Sequence, residues 1–355
     1  MVNTPYSENT LQELLQQFKV EAVSYRFKGI KQGYINDSFF VLHKDAIKFV
    51  LQRINTGVFT NPKRVMENIS TALPYLHGED YVGIDLIATH DQRNYIYSPQ
   101  MGYWRLYRYI PNSYAPAVVA NAEMAFEAGK LLGNFHGLGA LIPQGGIQEI
   151  IPKFHDLQWR VDQFKTSLSK ATQVSLHAAK DSIAMAKATF SYFTPLWEEE
   201  MPLRICHNDA KLNNMLFDQS TNTSLCFIDL DTLMLGHFYY DFGDAVRTIV
   251  NATPEDETNL DLITFDKALF DHFLNGLVQT NAAISPYEKE TLHLGILYMP
   301  FLHGLRALTD YLEGNIYYKV AYENQNLDRC RNLFRFVEVA LAAMETIKDM
   351  IKRKL

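Results

Sequence analysis

The stretch "RICHNDAKLNNMLF" (residues 204–217) places a histidine, an aspartate and three asparagines between two short apolar runs. Asparagine and aspartate are poor strand formers and favour turns, so the pattern predicts a polar loop between two short strands. Asn214 follows Asp209 by five residues, and Lys211 lies between them. We therefore expect the acid and the amide to face the same side of a cleft, where Lys211 can meet a phosphate.

A second apolar run, "LCFIDLDTLMLG" (residues 225–236), carries Asp229 and Asp231. Side chains alternate between the two faces of a strand, so Asp229 and Asp231 are expected on one face of this run. Neighbouring carboxylates repel each other and persist most readily beside a cation or hydrogen-bond donors. Because Mg²⁺ prefers oxygen ligands, Asn214, Asp229 and Asp231 form the predicted metal site.

Together these groups are the parts that phosphoryl transfer requires: a base for the hydroxyl, a metal for the phosphates and a cation for the developing charge. Asp209 is the predicted base, and Lys211 is the predicted phosphate contact. The spacing of Asp209 and Asn214 parallels the catalytic loop H-R-D-x-x-x-x-N of protein kinases. His207, in the histidine position, is expected to hold the loop by hydrogen bonds. Turn chemistry accounts for any one of these residues, but it does not require the whole set at this spacing.

Two further acids, Asp241 and Asp244, lie in "YYDFGDAVR" (residues 239–247). They are expected to cap the next helix or to tie down the catalytic loop. His136 lies on the apolar face of a predicted helix and is expected to be a packed core histidine.

The order of predicted elements indicates an α+β fold with two parts. Residues 1–110 contain several strand-like runs, including "AIKFVLQRI" (residues 46–54) and "YVGIDLIAT" (residues 81–89), with a helix that begins near Pro62. From residue 111 to residue 355 the pattern is mostly helical. The sequence therefore predicts an antiparallel-sheet lobe over residues 1–110, which binds the nucleotide, and a helical catalytic and substrate-binding lobe over residues 111–355.

Bulk composition narrows the classes of function. The formal net charge is −7 and the isoelectric point is near 5.9, which argues against a dominant nucleic-acid surface. The three cysteines show no C-x-x-C spacing, so neither a disulfide framework nor a cysteine zinc site is expected. No apolar stretch is long enough to cross a bilayer, and the first residues do not read as a signal peptide. The sequence therefore predicts a soluble cytoplasmic protein.

The motifs "CHNDAKLNNMLF", "FIDLDT" and "YDFGDAVR" resemble those of the aminoglycoside phosphotransferase and choline kinase superfamily. Within it, the chain is most similar to the N-acetylhexosamine 1-kinases, at "GYIN", "FVLQRIN" and "LRALTDYLEGNIYY" (residues 305–318) as well. The resemblance touches both lobes. It implies a bilobal, protein-kinase-like fold and a reaction in which ATP, with Mg²⁺, phosphorylates the anomeric hydroxyl of N-acetylglucosamine or N-acetylgalactosamine.

By position, the resemblance implies that Asp209 activates the anomeric hydroxyl and that Arg306, Asp310 and Tyr317 line the sugar pocket, with Tyr34 as a further substrate contact. Arg306 and Asp310 are four residues apart, hence neighbours on one helix face. Such a pair can donate to and accept from sugar hydroxyls, while the ring of Tyr317 packs against the sugar. The alternative is an ordinary surface ion pair beside a packed tyrosine.

The nucleotide-binding pattern departs from that of protein kinases. The segment "GIKQGYINDSF" has no G-x-G-x-x-G motif, although the backbone of Gly33–Ser38 is expected near phosphate and Asn36 is expected to face the ligand. Gln52 stands where the strand lysine of a kinase would be, and a neutral amide cannot neutralise phosphate charge. Adenine is expected at the lobe junction, near the backbone of Tyr109 and Ile110.

Two other functions are compatible with the same residues. One is a kinase for another alcohol, such as choline, homoserine or methylthioribose. The other is a nucleotide-binding regulator that has lost catalysis, which the Gln52 departure favours. The complete set of Asp209, Asn214 and Asp229 argues against the regulator, because a binding module has no need of a base.

Overall fold

The computed structural model describes residues 6–30, 35–197, 201–255, 257–280 and 282–355. The strands, in chain order, are β1 Arg26–Gly29, β2 Asp37–His43, β3 Ala46–Ile54, β4 Ile96–Ser98, β5 Gly102–Arg108, β6 Ser113–Tyr114, β7 Arg204–Cys206, β8 Met215–Asp218, β9 Ser224–Phe227 and β10 Met234–Gly236. The α-helices are α1 Glu8–Leu15, α2 Pro62–Ala72, α3 Ala122–Gly139, α4 Leu157–Lys170, α5 Gln173–Ala178, α6 Lys180–Thr189, α7 Phe238–Ile249, α8 Lys267–Val278, α9 Pro286–Leu312, α10 Gln325–Ala342 and α11 Met344–Lys354.

The N-terminal lobe is an antiparallel sheet with the strand order β1-β2-β3-β5-β4. Alternation along β3 buries Phe49 and Leu51, which pack with Trp104 of β5 in a core of their own. Ile54, at the end of β3, lies off this alternation and packs in the core of the C-terminal lobe. A tight turn at Gly102, whose φ is +78°, joins β4 to β5, and this angle is one that glycine adopts without strain. The predicted antiparallel sheet is confirmed.

The strand predicted over residues 81–89 is wrong. This segment meets β5 through two backbone hydrogen bonds, Ile87 N to Leu106 O at 2.8 Å and Arg108 N to Asp85 O at 2.9 Å. Because β4 already pairs with the first half of that edge of β5, only a short contact is left for this segment. It therefore crosses the edge of the sheet instead of extending it.

Helix α2 begins where the sequence predicted, with Asn61 as its N-cap and Pro62 in its first turn. Its Asn68 side chain donates to Leu233 O at 2.8 Å, in the turn that follows β9. Its apolar face packs into the core of the C-terminal lobe. This helix therefore connects the sheet lobe to the segment that carries Asp229.

The C-terminal lobe is built around α9, which begins at a capping box formed by Ser285 and Glu288. Helices α3 and α8 approach so closely that a Cβ on Gly129 would lie 1.9 Å from Phe273 O. Short antiparallel pairs, β7 with β10 and β8 with β9, lie against these helices and hold the polar loops.

The bilobal α+β fold is therefore confirmed. The chain passes between the lobes over residues 109–112, between β5 and β6, and the division at residues 110 and 111 remains a prediction. No helix in the described part of the chain is both long and apolar enough to cross a bilayer.

Candidate active site

The loop that follows β7 is held by hydrogen bonds to Asp241, the fourth residue of α7. Its two carboxylate oxygens accept hydrogen bonds from the backbone N–H groups of His207 and Asn208, each at 2.7 Å. Asp241 is fully buried, and Nε2 of the buried His136 lies 3.1 Å from its Oδ2. The prediction that this acid ties down the catalytic loop is confirmed, as is the buried position of His136.

His207 links this loop to the segment after β9. Its Nε2 lies 2.8 Å from Ile228 O, and its Nδ1 accepts from the backbone N–H of Asp209 at 3.2 Å. A carbonyl oxygen cannot donate, so these two contacts assign the proton to Nε2. With both ring nitrogens engaged, His207 holds the loop and has no free nitrogen to take a proton from a substrate.

Asn208 and Thr232 fasten the same two segments together. Asn208 adopts a left-handed backbone conformation with φ +61°, and its buried amide donates to Thr232 O at 3.1 Å and Met234 O at 3.2 Å. Thr232 Oγ1 donates in return to His207 O at 2.7 Å. A Cβ on Gly236 would lie 2.7 Å from Asn208 Oδ1, so this close approach requires glycine.

Asp209 is contacted by both of its predicted neighbours. Lys211 Nζ lies 2.8 Å from Asp209 Oδ2, and Asn214 Nδ2 donates to the same oxygen and to Asp209 O, each at 2.8 Å. Burial, the largest single influence, opposes ionisation of Asp209, but the charge and the hydrogen bond of Lys211, together with His207, hold the pKa of Asp209 below its ordinary value. The structure therefore presents Asp209 as an ionised carboxylate with a cation and an amide beside it.

Asp229 lies in a turn and not in a strand. Strand β9 ends at Phe227, Asp229 has φ +60°, and Leu230–Thr232 form a single 3-10 turn. The alternation predicted for Asp229 and Asp231 is therefore wrong, because it assumed that the strand continues. A left-handed non-glycine residue is a local strain that is common at functional sites.

The electrostatics of Asp229 differ from those of Asp209. Burial, followed by repulsion from Asp231 and then Asp209, raises the pKa of Asp229 to about 6. The backbone of Ile228 donates to Asn214 O at 2.8 Å, which brings Asp229 next to the loop of Asp209. The predicted convergence of Asp209, Asn214 and Asp229 is what the structure shows, although their chemical roles remain predictions.

Both oxygens of Asp231 are already engaged. Oδ1 pairs with Arg105 Nη1, and Oδ2 accepts from Asn36 Nδ2 at 2.7 Å. Asp231 is 2% exposed and the Arg105 side chain is 0% exposed, so this is a buried ion pair. Sequence reasoning missed Arg105, because its partner lies 126 residues away along the chain.

Among the predicted nucleotide-binding residues, Gln52 lies on β3, and Tyr109 and Ile110 lie where the chain passes between the lobes. Gln52 lies opposite Arg105 in the register of β3 and β5, and its Oε1 accepts from Arg105 Nε at 3.2 Å. Tyr109 N donates to Lys48 O at 3.0 Å, and Ile110 O accepts from a serine hydroxyl at 2.7 Å. Gly33 and Tyr34, which were also predicted to contact ligands, lie outside the described residues.

A cavity of about 90 Å³ lies between α4 and the C-terminal end of α9, and Arg306, Asp310 and Tyr317 all line it. Asp310 does not pair with Arg306 as expected for neighbours on a helix. Its carboxylate instead accepts from Tyr317 N at 2.7 Å, from Tyr318 N at 3.0 Å and from Asn326 Nδ2 at 2.8 Å. Asp310 thus fixes the backbone of the segment that follows α9.

The Arg306 guanidinium lies among aromatic rings, 5.1 Å from the ring centre of Phe154 and 5.9 Å from those of Tyr317 and Tyr318. The sequence analysis missed a second arginine, Arg160, which lines the same cavity. Burial, and then the charge of Arg306, lowers the pKa of Arg160 to about 10. The described residues therefore give this cavity two neighbouring guanidinium groups.

The cavity is linked to the loop of Asp209 by short contacts. Phe154, against which Arg306 packs, is followed by His155, whose Nε2 lies 2.9 Å from Asn208 O. His303, one turn before Arg306 on α9, lies 3.3 Å from the buried Asp244. His155 and His303 thus connect the elements that line the cavity to the loop of Asp209 and to Asp244.

Comparison with known proteins agrees with this fold. The model of the phosphotransferase enzyme family matches residues 26–273. Among solved structures, a spectinomycin phosphotransferase in complex with ADP and spectinomycin superposes with a TM-score of 0.64 at 14% identity, covering 96% of this chain and 99% of that chain. A microcompartment-associated aminopropanol kinase gives 0.64 at 13% identity, with coverages of 96% and 99%. A choline/ethanolamine kinase family protein from Mesorhizobium loti gives 0.55 at 16% identity, with coverages of 95% and 99%.

Proposed function

Because this chain belongs to the phosphotransferase enzyme family, we propose that it transfers the terminal phosphoryl group of ATP to a hydroxyl group of a small molecule. The proposed acceptor is N-acetylglucosamine or N-acetylgalactosamine, and the product is the sugar 1-phosphate. The observation that carries the reaction type is the meeting of Asp209, Lys211 and Asn214 in one loop, beside Asp229.

In this proposal Asp209 accepts the proton of the attacking hydroxyl and orients its oxygen toward the phosphorus. Its lowered pKa keeps the carboxylate ionised at neutral pH, which a proton acceptor requires. Lys211, which pairs with Asp209 at 2.8 Å, can turn toward the phosphoryl oxygens as negative charge develops on them.

The donor set fits a divalent cation. The raised pKa of Asp229 is consistent with a group of partly buried acids whose mutual repulsion a cation would relieve. Asn214 Oδ1 and the Asp229 carboxylate would hold Mg²⁺, which when bound neutralises charge on the phosphates of ATP. The sequence predicted Asp231 as a third ligand, but its two oxygens contact Arg105 and Asn36, so the ligand set proposed here is Asn214 and Asp229.

The nucleotide is proposed to lie between the sheet lobe and the turn of Asp229. Adenine would reach the backbone of Tyr109 and Ile110, and the phosphates would pass Asn36, Gln52 and the segment of Gly33. Arg105, opposite Gln52 on β5, is fully buried and paired with Asp231, so the charge of the phosphates is left to Lys211 and the metal.

The cavity at the end of α9 supports a sugar acceptor. Arg306 offers hydrogen-bond donors, and Tyr317 offers a ring for the apolar face of a pyranose. Asp310 would act mainly by holding the Tyr317 backbone, since its oxygens accept three hydrogen bonds from protein. Tyr34 is proposed as a further contact on the basis of the sequence resemblance alone.

The test is ADP release with N-acetylglucosamine, N-acetylgalactosamine and choline assayed in parallel, with Asp209→Asn as the inactive control. Phosphorus NMR would identify the product, and a sugar 1-phosphate is expected. Turnover of choline but neither sugar would indicate a kinase for another alcohol. ATP binding without turnover of any acceptor would indicate a nucleotide-binding regulator.

A further inference from the structure

The kinase fold ordinarily places a cationic side chain on the third strand, and here that position is Gln52. In the structure its neighbour across the sheet is Arg105, because β3 and β5 pair in a register that sets the two residues opposite each other. The Arg105 side chain is 0% exposed. The described residues thus contain a cation at this level of the sheet, one strand away from the expected position.

The guanidinium of Arg105 is fixed on two sides. Its Nε and Nη2 donate to Gln52 Oε1 at 3.2 and 3.1 Å, and its Nη1 pairs with Asp231. Gln52 Nε2 in turn donates to Ser38 Oγ, on β2, at 2.9 Å. Gln52 therefore serves as an acceptor that orients the arginine fork, a role that lysine could not perform because it has no acceptor.

Asp231 connects this cation to both predicted ligand-binding segments. Two residues before it lies Asp229, in a left-handed conformation that depends on the geometry of the turn. The second carboxylate oxygen of Asp231 accepts from Asn36 Nδ2 at 2.7 Å, and Asn36 Oδ1 accepts from Asn55 N at 3.0 Å. One buried carboxylate thus sets the position of the Asp229 turn relative to the loop that precedes β2.

We propose that Arg105 is a positioning residue for nucleotide-bound Mg²⁺: through Asp231 it holds Asp229 and Asn36 in a fixed relation. The inference rests on the proposed function, because it assigns the Asp229 turn to the metal. A buried ion pair contributes little net stability compared with apolar residues of similar volume, but it specifies one arrangement of the segments that it joins. In this role Asp231 is the counter-ion of Arg105 and reaches the metal only through the turn.

The test removes both charges together, as Arg105→Met with Asp231→Leu. Loss of one partner alone leaves the other charge buried and unpaired, whereas joint replacement leaves no such charge and is expected to keep the melting temperature near that of the parent protein. Isothermal titration calorimetry with AMP-PNP, with and without Mg²⁺, gives the gain in nucleotide affinity due to the metal. We expect that gain to fall at least tenfold in the double variant.

A control is the ion pair of Arg204 and Glu288 in the C-terminal lobe, whose side chains are 17% and 1% exposed and whose atoms approach to 2.6 Å. Arg204→Met with Glu288→Leu removes this pair and the capping box of α9, and it should leave the Mg²⁺-dependent gain within twofold of the parent even if the melting temperature falls. If the Arg105 and Asp231 double variant is unstable, Arg105→Lys provides the second test. It keeps the charge but cannot contact Gln52 and Asp231 as a planar fork, so a loss of at least threefold is expected.

The outcomes separate this inference from the proposed function. A folded double variant, or Arg105→Lys, with the parent's Mg²⁺-dependent gain would overturn the positioning role even if sugars are phosphorylated. Failure of every acceptor in the turnover assay would overturn the proposed function while the binding measurement still decides the role of Arg105. A parent protein that binds no AMP-PNP would overturn both.

Discussion

Two acidic segments meet at the candidate active site, and their carboxyl groups differ in how they are compensated. In the loop after β7, Asp209 has Lys211 and Asn214 within 2.8 Å, and the pKa of Asp209 is lowered. In the turn after β9, burial and the nearby acids raise the pKa of Asp229 to about 6. At the first carboxylate the compensating groups of the chain prevail, whereas at the second, burial and repulsion outweigh the charges of Arg105 and Lys211.

Because of this difference, the carboxyl groups of Asp209 and Asp229 are suited to different roles although they are chemically identical. A carboxylate that is ionised without any ligand can meet a hydroxyl as soon as the acceptor binds. A carboxylate whose charge is opposed by its surroundings gains most from a cation that the protein does not supply. The following predictions test whether the two segments are divided in this way.

The largest effect is expected for Asp209→Asn. An amide cannot accept the hydroxyl proton, so kcat should fall at least ~100-fold. Nucleotide affinity, measured by calorimetry with AMP-PNP, should change less than about threefold, because the amide keeps the hydrogen-bonding shape of the site. Near-normal turnover would remove Asp209 from the role of proton acceptor.

A smaller effect is expected for Lys211→Met, which removes the main compensating charge. Burial then acts on Asp209 with much less opposition, so the pKa of Asp209 should rise. Activity depends on the ionised form, and the acidic limb of the pH–rate profile should therefore move to higher pH. We also expect kcat at neutral pH to fall about tenfold, since Lys211 can contact the phosphoryl group.

Lys211→Arg is the matched control, because it retains the cation. Its acidic limb should stay within a few tenths of a pH unit of the parent profile, as expected for a retained charge. If Lys211→Met also leaves the limb unmoved, the charge of Lys211 does not govern Asp209, and the contrast between the two segments fails.

The loop of Asp209 could be predicted from the sequence because its contacts are local. Asp209, Lys211 and Asn214 meet within six residues, and turn propensities place them on one side. The antiparallel sheet and the helix beginning at Pro62 were readable for the same reason, from alternation and an N-terminal proline. The fold class and the core of the site could therefore be predicted from the spacing of residues that lie close together in the sequence.

The turn of Asp229 could not be predicted in the same way. Nothing in "FIDLDT" shows that the strand stops at Phe227, because Ile228 and Leu230 continue an apolar alternation. The pairing of Arg105 with Asp231 depends on the register of β3 and β5, which a single sequence does not specify. The signal that the sequence offered was Gln52. It stands where a kinase has a lysine, which suggests that another residue supplies the positive charge.

The turn segment can be tested directly through the pH dependence of metal binding. A cation binds ionised Asp229, so Mg²⁺ affinity in the presence of AMP-PNP should fall as pH decreases below about 6. The expected loss is about tenfold per pH unit for one proton displaced. Calorimetric titration from pH 5 to pH 8 measures it, after correction with free AMP-PNP titrated alone.

Asp229→Asn is the companion variant in that titration. It carries no ionisable group at this position, so its weaker affinity should vary much less over the same range of pH. A parent protein whose affinity is flat between pH 5 and pH 7, after correction, would show that Asp229 does not limit metal binding.

The smallest effect concerns stability without metal. The folded pKa of Asp229 lies above that of an unfolded aspartate, so its stabilising contribution is present below about pH 4 and is lost as pH rises through about 6. Asp229→Asn removes the charge that causes this loss. In EDTA at pH 8 we expect the variant to gain about 1–3 kcal/mol in the free energy of unfolding, since one pKa unit corresponds to about 1.4 kcal/mol.

At pH 4 the advantage of Asp229→Asn should disappear, because the parent carboxyl is then protonated as well. Asp209→Asn is the control for the compensated segment: it removes a carboxylate that Lys211 stabilises, so it should lower stability at pH 8 instead of raising it. Urea denaturation of the three proteins at both pH values measures the contrast. If both variants raise, or both lower, the free energy of unfolding at pH 8, the two carboxylates are compensated alike. Opposite changes are expected only if Asp229, unlike Asp209, is insufficiently compensated.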